Sequence, residues 1–240
     1  MNKIFNLQPI VDSLVDSEKS LITPLIKLNL FGRLVKNEKL ITYATNELKG
    51  YDNSDTLPDY RISHARLMVQ LQAGLHNHER ELPISMIANN AGNALEKFLI
   101  LDSIVTVENM AAQNARGGNN KELALQLPME TLHLFQEPAQ KLYRSDTPIK
   151  VVKASTVTNA KIINEIPVHV RTNLLEFVIA IAEEFNYEIE IDKFNSHQKE
   201  NNESVAQQVY NIIYNTGDGA IVNTGSEVSL SAEQNVEKHS

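Results

Sequence analysis

The chain has 240 residues, 42% of them hydrophobic, which is enough for one sizeable core, and it contains no cysteine. Disulfides, thiolate metal sites and a cysteine nucleophile are therefore excluded. The formal net charge of −8 is carried mainly by the C-terminal end, where residues 188–240 hold nine acidic side chains against three Lys, and no Lys/Arg cluster suited to neutralising a phosphate backbone occurs, so nucleic acid is an unfavoured partner.

No apolar run approaches the ~18 residues of a membrane span. The longest greasy stretch, from Leu174 to Ala182, is interrupted by Glu176 and followed by Glu183 and Glu184. The N-terminus reaches Asp12 and Asp16 before an apolar core of signal-peptide length can form, so no export signal is read and a cytoplasmic location is expected.

The first part of the chain reads as helices. Ile10, Val11, Leu14 and Val15 follow Pro9 at helical spacing. Thr23 followed by Pro24 has the form of an N-cap with proline at the first helical position, with Leu25, Leu28, Phe31 and Leu34 on one face. Asn37 caps a third helix over residues 38–49, with Leu40, Tyr43, Ala44 and Leu48 inward and Gly50 as its stop. The middle changes in kind. Alternation at Leu67-Met68-Val69-Gln70-Leu71 predicts a strand, and His76 to Glu81 reads as a polar turn before Leu82. Residues 94–110 read as helix, Arg116-Gly117-Gly118-Asn119-Asn120 as an exposed loop, and residues 129–141 as a helix after Pro128. A β element over 149–154 is followed by Ser155 and Thr156 as the cap of a helical turn.

Residues 168–185 carry the clearest pattern in the chain, with Val170, Leu174, Phe177, Val178, Ile181, Ala182 and Phe185 on one face of a core helix. From 192 to 204 the composition turns polar and acidic, which reads as a linker. Beyond it, Asn215-Thr216-Gly217 and Asn223-Thr224-Gly225 recur eight residues apart between short apolar stretches, which suits short strands and tight turns; the alternative is a frayed low-complexity tail. The expected organisation is an α+β domain over 1–191, with an N-terminal helical unit, mixed strands and helices and a long C-terminal core helix. An acidic linker over 192–204 and a small β-rich, self-associating tail over 205–240 complete it.

Two stretches carry a resemblance. Asn46-Glu47-Leu48-Lys49-Gly50-Tyr51, closing the helix that begins after Asn37, and then Leu57-Pro58-Asp59-Tyr60-Arg61 resemble the AbiTii signature N-E-L-x-G-Y followed by L-P-x-Y-R. Residues 168–185, beginning Val168-His169-Val170-Arg171, look like the late V-R-x-x-L-L-x-F helix of the same family, and order and spacing agree over roughly residues 5–190. The family often has a tryptophan in the third helix where Tyr43 or its neighbourhood stands here. The resemblance implies a role in abortive infection, in which a phage-infected bacterium is stopped before the phage matures, together with a protein partner or a second defence component. It supplies no catalytic residues, cofactor or metal to carry over.

Within the matched motif, Glu47, Tyr51, Tyr60 and Arg61 are expected to converge, because the stop at Gly50 and a short loop return the chain to the helix end. A buried Arg61–Glu47 pair with two tyrosines would be a stiff, satisfied network. Asn46, Gly50, Leu57, Pro58 and Arg171 are expected to serve the fold in the same way. His76, His78 and Glu79 are the nearest approach to a metal pattern, but three ligands in four residues of a turn make a poor enclosed site. His64, His133 and His169 stand singly. No phosphate-binding glycine loop, nucleophile elbow or H-E-x-x-H motif occurs. The expectation is a non-catalytic interaction protein; a toxic hydrolase or nuclease whose residues meet only in the fold is the alternative.

Overall fold

A computed structural model describes residues 3–52, 57–116, 121–144 and 148–214. Its architecture is α+β, with two hydrophobic cores. Three helices open the chain: α1 (Gln8–Val15), α2 (Ile22–Val35) and α3 (Glu38–Lys49). Their buried stripes include Ile10 and Leu14, Leu25, Leu28 and Phe31, and Leu40, Tyr43 and Ala44. Against them pack α5 (Ile104–Ala115) and the 25-residue α7 (Lys161–Phe185). A two-stranded antiparallel ribbon of β1 (Ile4–Asn6) and β8 (Glu188–Glu190) ties the N-terminus to the chain just after α7. A second ribbon pairs β2 (Ile62–His64) with β5 (Lys97–Leu99).

The second core lies under a four-stranded antiparallel sheet, in the order β4 (His76–Leu82), β3 (Arg66–Ala73), β7 (Ile149–Asn159), β6 (Glu122–Gln126). Leu67, Val69 and Leu71 alternate onto one face and meet Phe135 and Ala139 of α6 (His133–Leu142). On the other face Arg66 bridges Glu81 of the neighbouring β4 and Glu122 of β6, which lies beyond β7. The register between β3 and β7 slips at Gln70/Leu71, a bulge that lets an 11-residue strand follow its neighbour.

Several expectations are corrected. Residues 76–81 form strand β4 rather than a turn; the turn is the two-residue Gly74-Leu75, with Gly74 at φ +59°. As a sheet edge exposed on nearly its whole length, β4 has no apolar alternation to announce it, and its charged side chains suit an edge. The helix expected over 94–110 is broken into the end of α4 (Asn89–Leu95), β5 and α5, because Phe98 and Ile100 enter the first core and Ser103 caps α5 by accepting the Thr106 N–H at 3.3 Å. Ser155 and Thr156 cap nothing: β7 runs on to Asn159, paired on both sides. Helix α2 starts at Ile22, which places Pro24 third in its first turn, and α7 starts at Lys161, seven residues before the expected stripe.

The stretch expected as an acidic linker is built as α8 (Ile191–Ser196) and α9 (Gln198–Gln208), followed by a π-helical turn over Val209–Tyr214. Ile191, Phe194, Val205, Val209 and Ile213 join the first core. The polar residues that made it look like a linker reach out to other elements. Asn202 donates to the Val35 carbonyl at 2.7 Å, Asn195 to Leu34 at 3.4 Å, and Asn37 donates back to the Asn202 carbonyl at 3.0 Å, so the C-terminal end of α2 is capped from α8 and α9. The apolar stretch from Val209, expected in a β-rich tail, is helical up to Tyr214. The repeat at Asn215 and Asn223 lies outside the described residues.

Phe194 packs edge-on against Phe31 and tilted against Phe185. Phe194→Ala should destabilise the protein by about 3–5 kcal/mol in urea unfolding. Lys199→Ala, an exposed neighbour on α9, should stay within about 0.5 kcal/mol. Equal and negligible effects would mean that this segment does not pack.

Candidate functional site

Glu47 and Arg61 are completely buried. Glu47 sits on the last turn of α3, and Arg61 closes a 3-10 turn over Asp59–Arg61 that follows Pro58. What joins these segments is the sharp exit at Gly50. Its φ of +98° is open to glycine, and a Cβ there would lie 2.9 Å from the Leu101 carbonyl oxygen. The next residue, Tyr51, donates its N–H to that same carbonyl at 2.8 Å. The chain is thus turned back along the 100–102 segment, and Ile100 N–H is bonded to the Arg61 carbonyl at 2.9 Å.

The pair is bidentate. Arg61 Nη2 donates to Glu47 Oε2 at 2.5 Å and Nε to Oε1 at 3.0 Å. Nη1 uses both its protons on backbone carbonyls, Ile100 at 3.0 Å and Asp102 at 2.8 Å. On the carboxylate side, Oε1 also accepts the hydroxyls of Tyr51 at 2.8 Å and Tyr60 at 2.9 Å. The Tyr43 hydroxyl lies 3.2 Å from that of Tyr60, and the guanidinium sits over the Tyr51 ring, 4.9 Å from its centre. Four residues that the sequence places in one motif therefore meet, and Tyr43 joins them.

The electrostatics follow from burial. Loss of solvent raises Tyr43, Tyr51 and Tyr60 well above the usual phenol range, and the Glu47 charge raises each of them further. For Tyr60 the neighbouring Tyr43 adds more to this than Glu47 does. Burial alone would lower Arg61; the hydrogen bonds and charge of Glu47 reverse that, and the guanidinium is held more firmly charged than in water. The phenols stay neutral as donors to a fixed carboxylate.

The other motif positions take supporting places. Asn46 accepts the Gly50 N–H at 2.8 Å, and Pro58 accepts the Arg61 N–H at 2.9 Å; Pro58 is buried and Leu57 half-buried. Arg171 does not reach this network. Its guanidinium gathers backbone carbonyls at and after the end of α1: Ser13 at 3.3 Å, Leu14 at 3.2 Å, Asp16 at 2.9 Å, Ser17 at 3.4 Å, and Lys19. These are the orphan acceptors of a helix C-terminus, stabilised by a cation. The carbonyls of Ile100 and Asp102, and Arg171's targets, had no signal in the sequence, since any residue presents a carbonyl.

His76 and His78 stand on the exposed edge strand β4 with ring centres 6.4 Å apart, and Glu79 points to the opposite face of the sheet. Among the described residues no three His, Asp or Glu side chains lie together as metal ligands would. His64 is exposed at the end of β2, His133 lies 2.6 Å from the Glu130 carbonyl oxygen, and the His169 ring is stacked on Tyr60. Among the described residues no helix is long and apolar enough to cross a membrane.

Compared with known proteins, residues 7–207 match the family model described as AbiTii. No curated protein and no solved structure matches the chain.

Removing one partner of the buried pair strands the other charge. Glu47→Gln and Arg61→Met should each cost about 3–5 kcal/mol, and the double change Glu47→Leu with Arg61→Met should cost much less than their sum, read as a double-mutant cycle in urea. The three phenols give a second test. A tyrosine raised in the folded state contributes stability that is fully present below about pH 10 and is lost as the pH climbs through the folded value. Unfolding free energy should therefore fall steeply above about pH 10. Absorbance at 295 nm should show Tyr43, Tyr51 and Tyr60 ionising only as the chain unfolds, and a smaller pH slope is expected in a variant with all three changed to Phe.

Proposed function

Since this chain belongs to the AbiTii family of abortive-infection proteins, we propose that it acts in phage defence as a non-catalytic interaction protein, holding a protein partner or a second defence component. One observation supports this reading above others: the charged residues of the family motif are engaged with the fold. Glu47 and Arg61 are fully buried and bonded to each other, to two tyrosines and to backbone, while Arg171 is occupied by carbonyls. A catalytic acid, base or nucleophile must reach substrate. What remains to do the work is the shape that these residues hold in place. The 26 residues beyond Tyr214 are proposed to contribute to self-association, which is why any truncation must begin after residue 214: Val205, Val209 and Ile213 belong to the core.

Efficiency of plating of a phage panel on cells carrying the gene, alone and with its genomic neighbours, tests the role. Protection is expected in at least one combination, and it should survive His78→Ala and Glu79→Gln. Protection lost in these variants, together with a metal-dependent turnover lost in parallel, would replace the interaction reading with a hydrolase or nuclease. Light scattering on the chain ending at Tyr214 tests the tail, and a number of chains per particle unchanged from the full chain would remove it from assembly.

A further inference from the structure

A groove of about 320 Å³ lies between the 60–63 stretch and the first three turns of α7, with Tyr60 and Ser63 on one side and Lys161, Glu165 and His169 on the other. Its volume is at the lower end of the ~300–1,000 Å³ found for small-molecule sites. Its chemistry is mixed and largely unused. Lys161, Glu165 and His169 recur every fourth residue along one exposed stripe of α7, yet neither the Lys161 ammonium nor the Glu165 carboxylate has a hydrogen-bond or ion-pair partner among the described residues. An i, i+4 Lys and Glu would ordinarily find each other. Here both stand over a concavity.

Each wall offers a different bonding capacity. Lys161 is the first residue of a 25-residue helix; its own N–H is bonded to Asn159 Oδ1 at 2.9 Å, while its ammonium and the helix dipole favour an anion at that end of the groove. Ser63 Oγ lies 2.8 Å from Thr158 Oγ1, and Thr158 donates its only proton to the His64 carbonyl at 2.9 Å. Ser63 must therefore be the donor in their bond, which leaves its lone pairs as acceptors in the groove that Glu165 also lines. The His169 ring is stacked on that of Tyr60, at 14° with centres 6.1 Å apart, which leaves exposed His169 as the aromatic surface of the groove. Tyr60 is fixed at its hydroxyl by buried Glu47, so the ring that backs His169 is held in place.

An anion site, a pair of acceptors for hydroxyl protons and an aromatic surface open to further stacking occur together in a space of nucleotide size. We propose that this groove binds a nucleoside monophosphate, with the phosphate at Lys161 and the start of α7, the ribose hydroxyls donating to Glu165 and Ser63, and the base stacked on His169. Nucleotide binding here is independent of the defence role, and the two can fail separately.

The test is isothermal titration of the full chain with the 5′-monophosphates of adenosine, guanosine, cytidine and uridine, and with the four nucleosides and inorganic phosphate. At least one monophosphate should bind 1:1 with a Kd of about 1 mM or tighter. Lys161→Gln and His169→Ala should each weaken it about tenfold or more, and the matching nucleoside should bind about as weakly as the monophosphate does to Lys161→Gln. Both positions are exposed, so melting temperatures should not move; Lys153→Gln, on the sheet, is the control for bulk charge. No saturable binding of any of the four would overturn the proposal. So would affinity indifferent to both substitutions, or inorganic phosphate binding as tightly as the best nucleotide.

Discussion

Everything around the end of α3 depends on one buried ion pair. Moving a guanidinium and a carboxylate out of water costs several kcal/mol for each ion, and the cost is offset only where geometry is good and the remaining donors and acceptors are satisfied. Both conditions hold for Arg61 and Glu47: a bidentate contact, two tyrosine hydroxyls on the carboxylate, and two backbone carbonyls on the guanidinium. The pair consequently imposes a position on three separate stretches of chain, namely the end of α3, the turn at Asp59–Arg61 and the segment entering α5. Unlike a hydrophobic cluster of the same volume, the pair holds these segments through hydrogen bonds of fixed direction.

The two cores meet near this junction. Tyr60 touches the pair with its hydroxyl and the groove beside α7 with its ring; the next residues form β2 and lead into the four-stranded sheet. The sheet comes from two stretches, β3–β4 and β6–β7, and the chain returns to the first core after each, through β5 and α5 and then after β7, where Ile162 and Ile163 are buried. The network thus stands where the chain leaves the first core for the sheet, and it is built from residues 46–51 and 57–61, both inside the matched residues 7–207.

How much of this was legible in the sequence follows from where each signal resides. Helix α3 carried its own bounds, with Asn37 accepting the Leu40 N–H at 3.0 Å and Gly50 turning the chain out. The convergence of Glu47, Tyr51, Tyr60 and Arg61 was readable because the four lie within one short return of the chain. Edge strand β4 was not, since its pairing is made by backbone and by the turn at Gly74, with almost no apolar side chain to mark a face. Helices α8 and α9 were hidden for the opposite reason. Their few apolar residues do pack, while Asn195 and Asn202 look like linker residues until the carbonyls of Leu34 and Val35, more than 150 positions earlier, are brought beside them. The groove beside α7 was equally invisible, for its walls come from residues about 100 positions apart.

The way Arg171 closes the end of α1 bears on how such a chain is made. The first helix is finished by a side chain more than 150 residues later, the first strand waits for Ile189 to pair with Phe5, and the end of α2 waits for Asn202. A ribosome delivers the N-terminal helices first, yet they cannot be completed until nearly all of the described chain has emerged. Synthesis therefore leaves an unfinished apolar surface on α1 to α3 throughout elongation. Contacts this far apart in sequence also slow the final closure, so the nascent protein's hazard is association before it is whole.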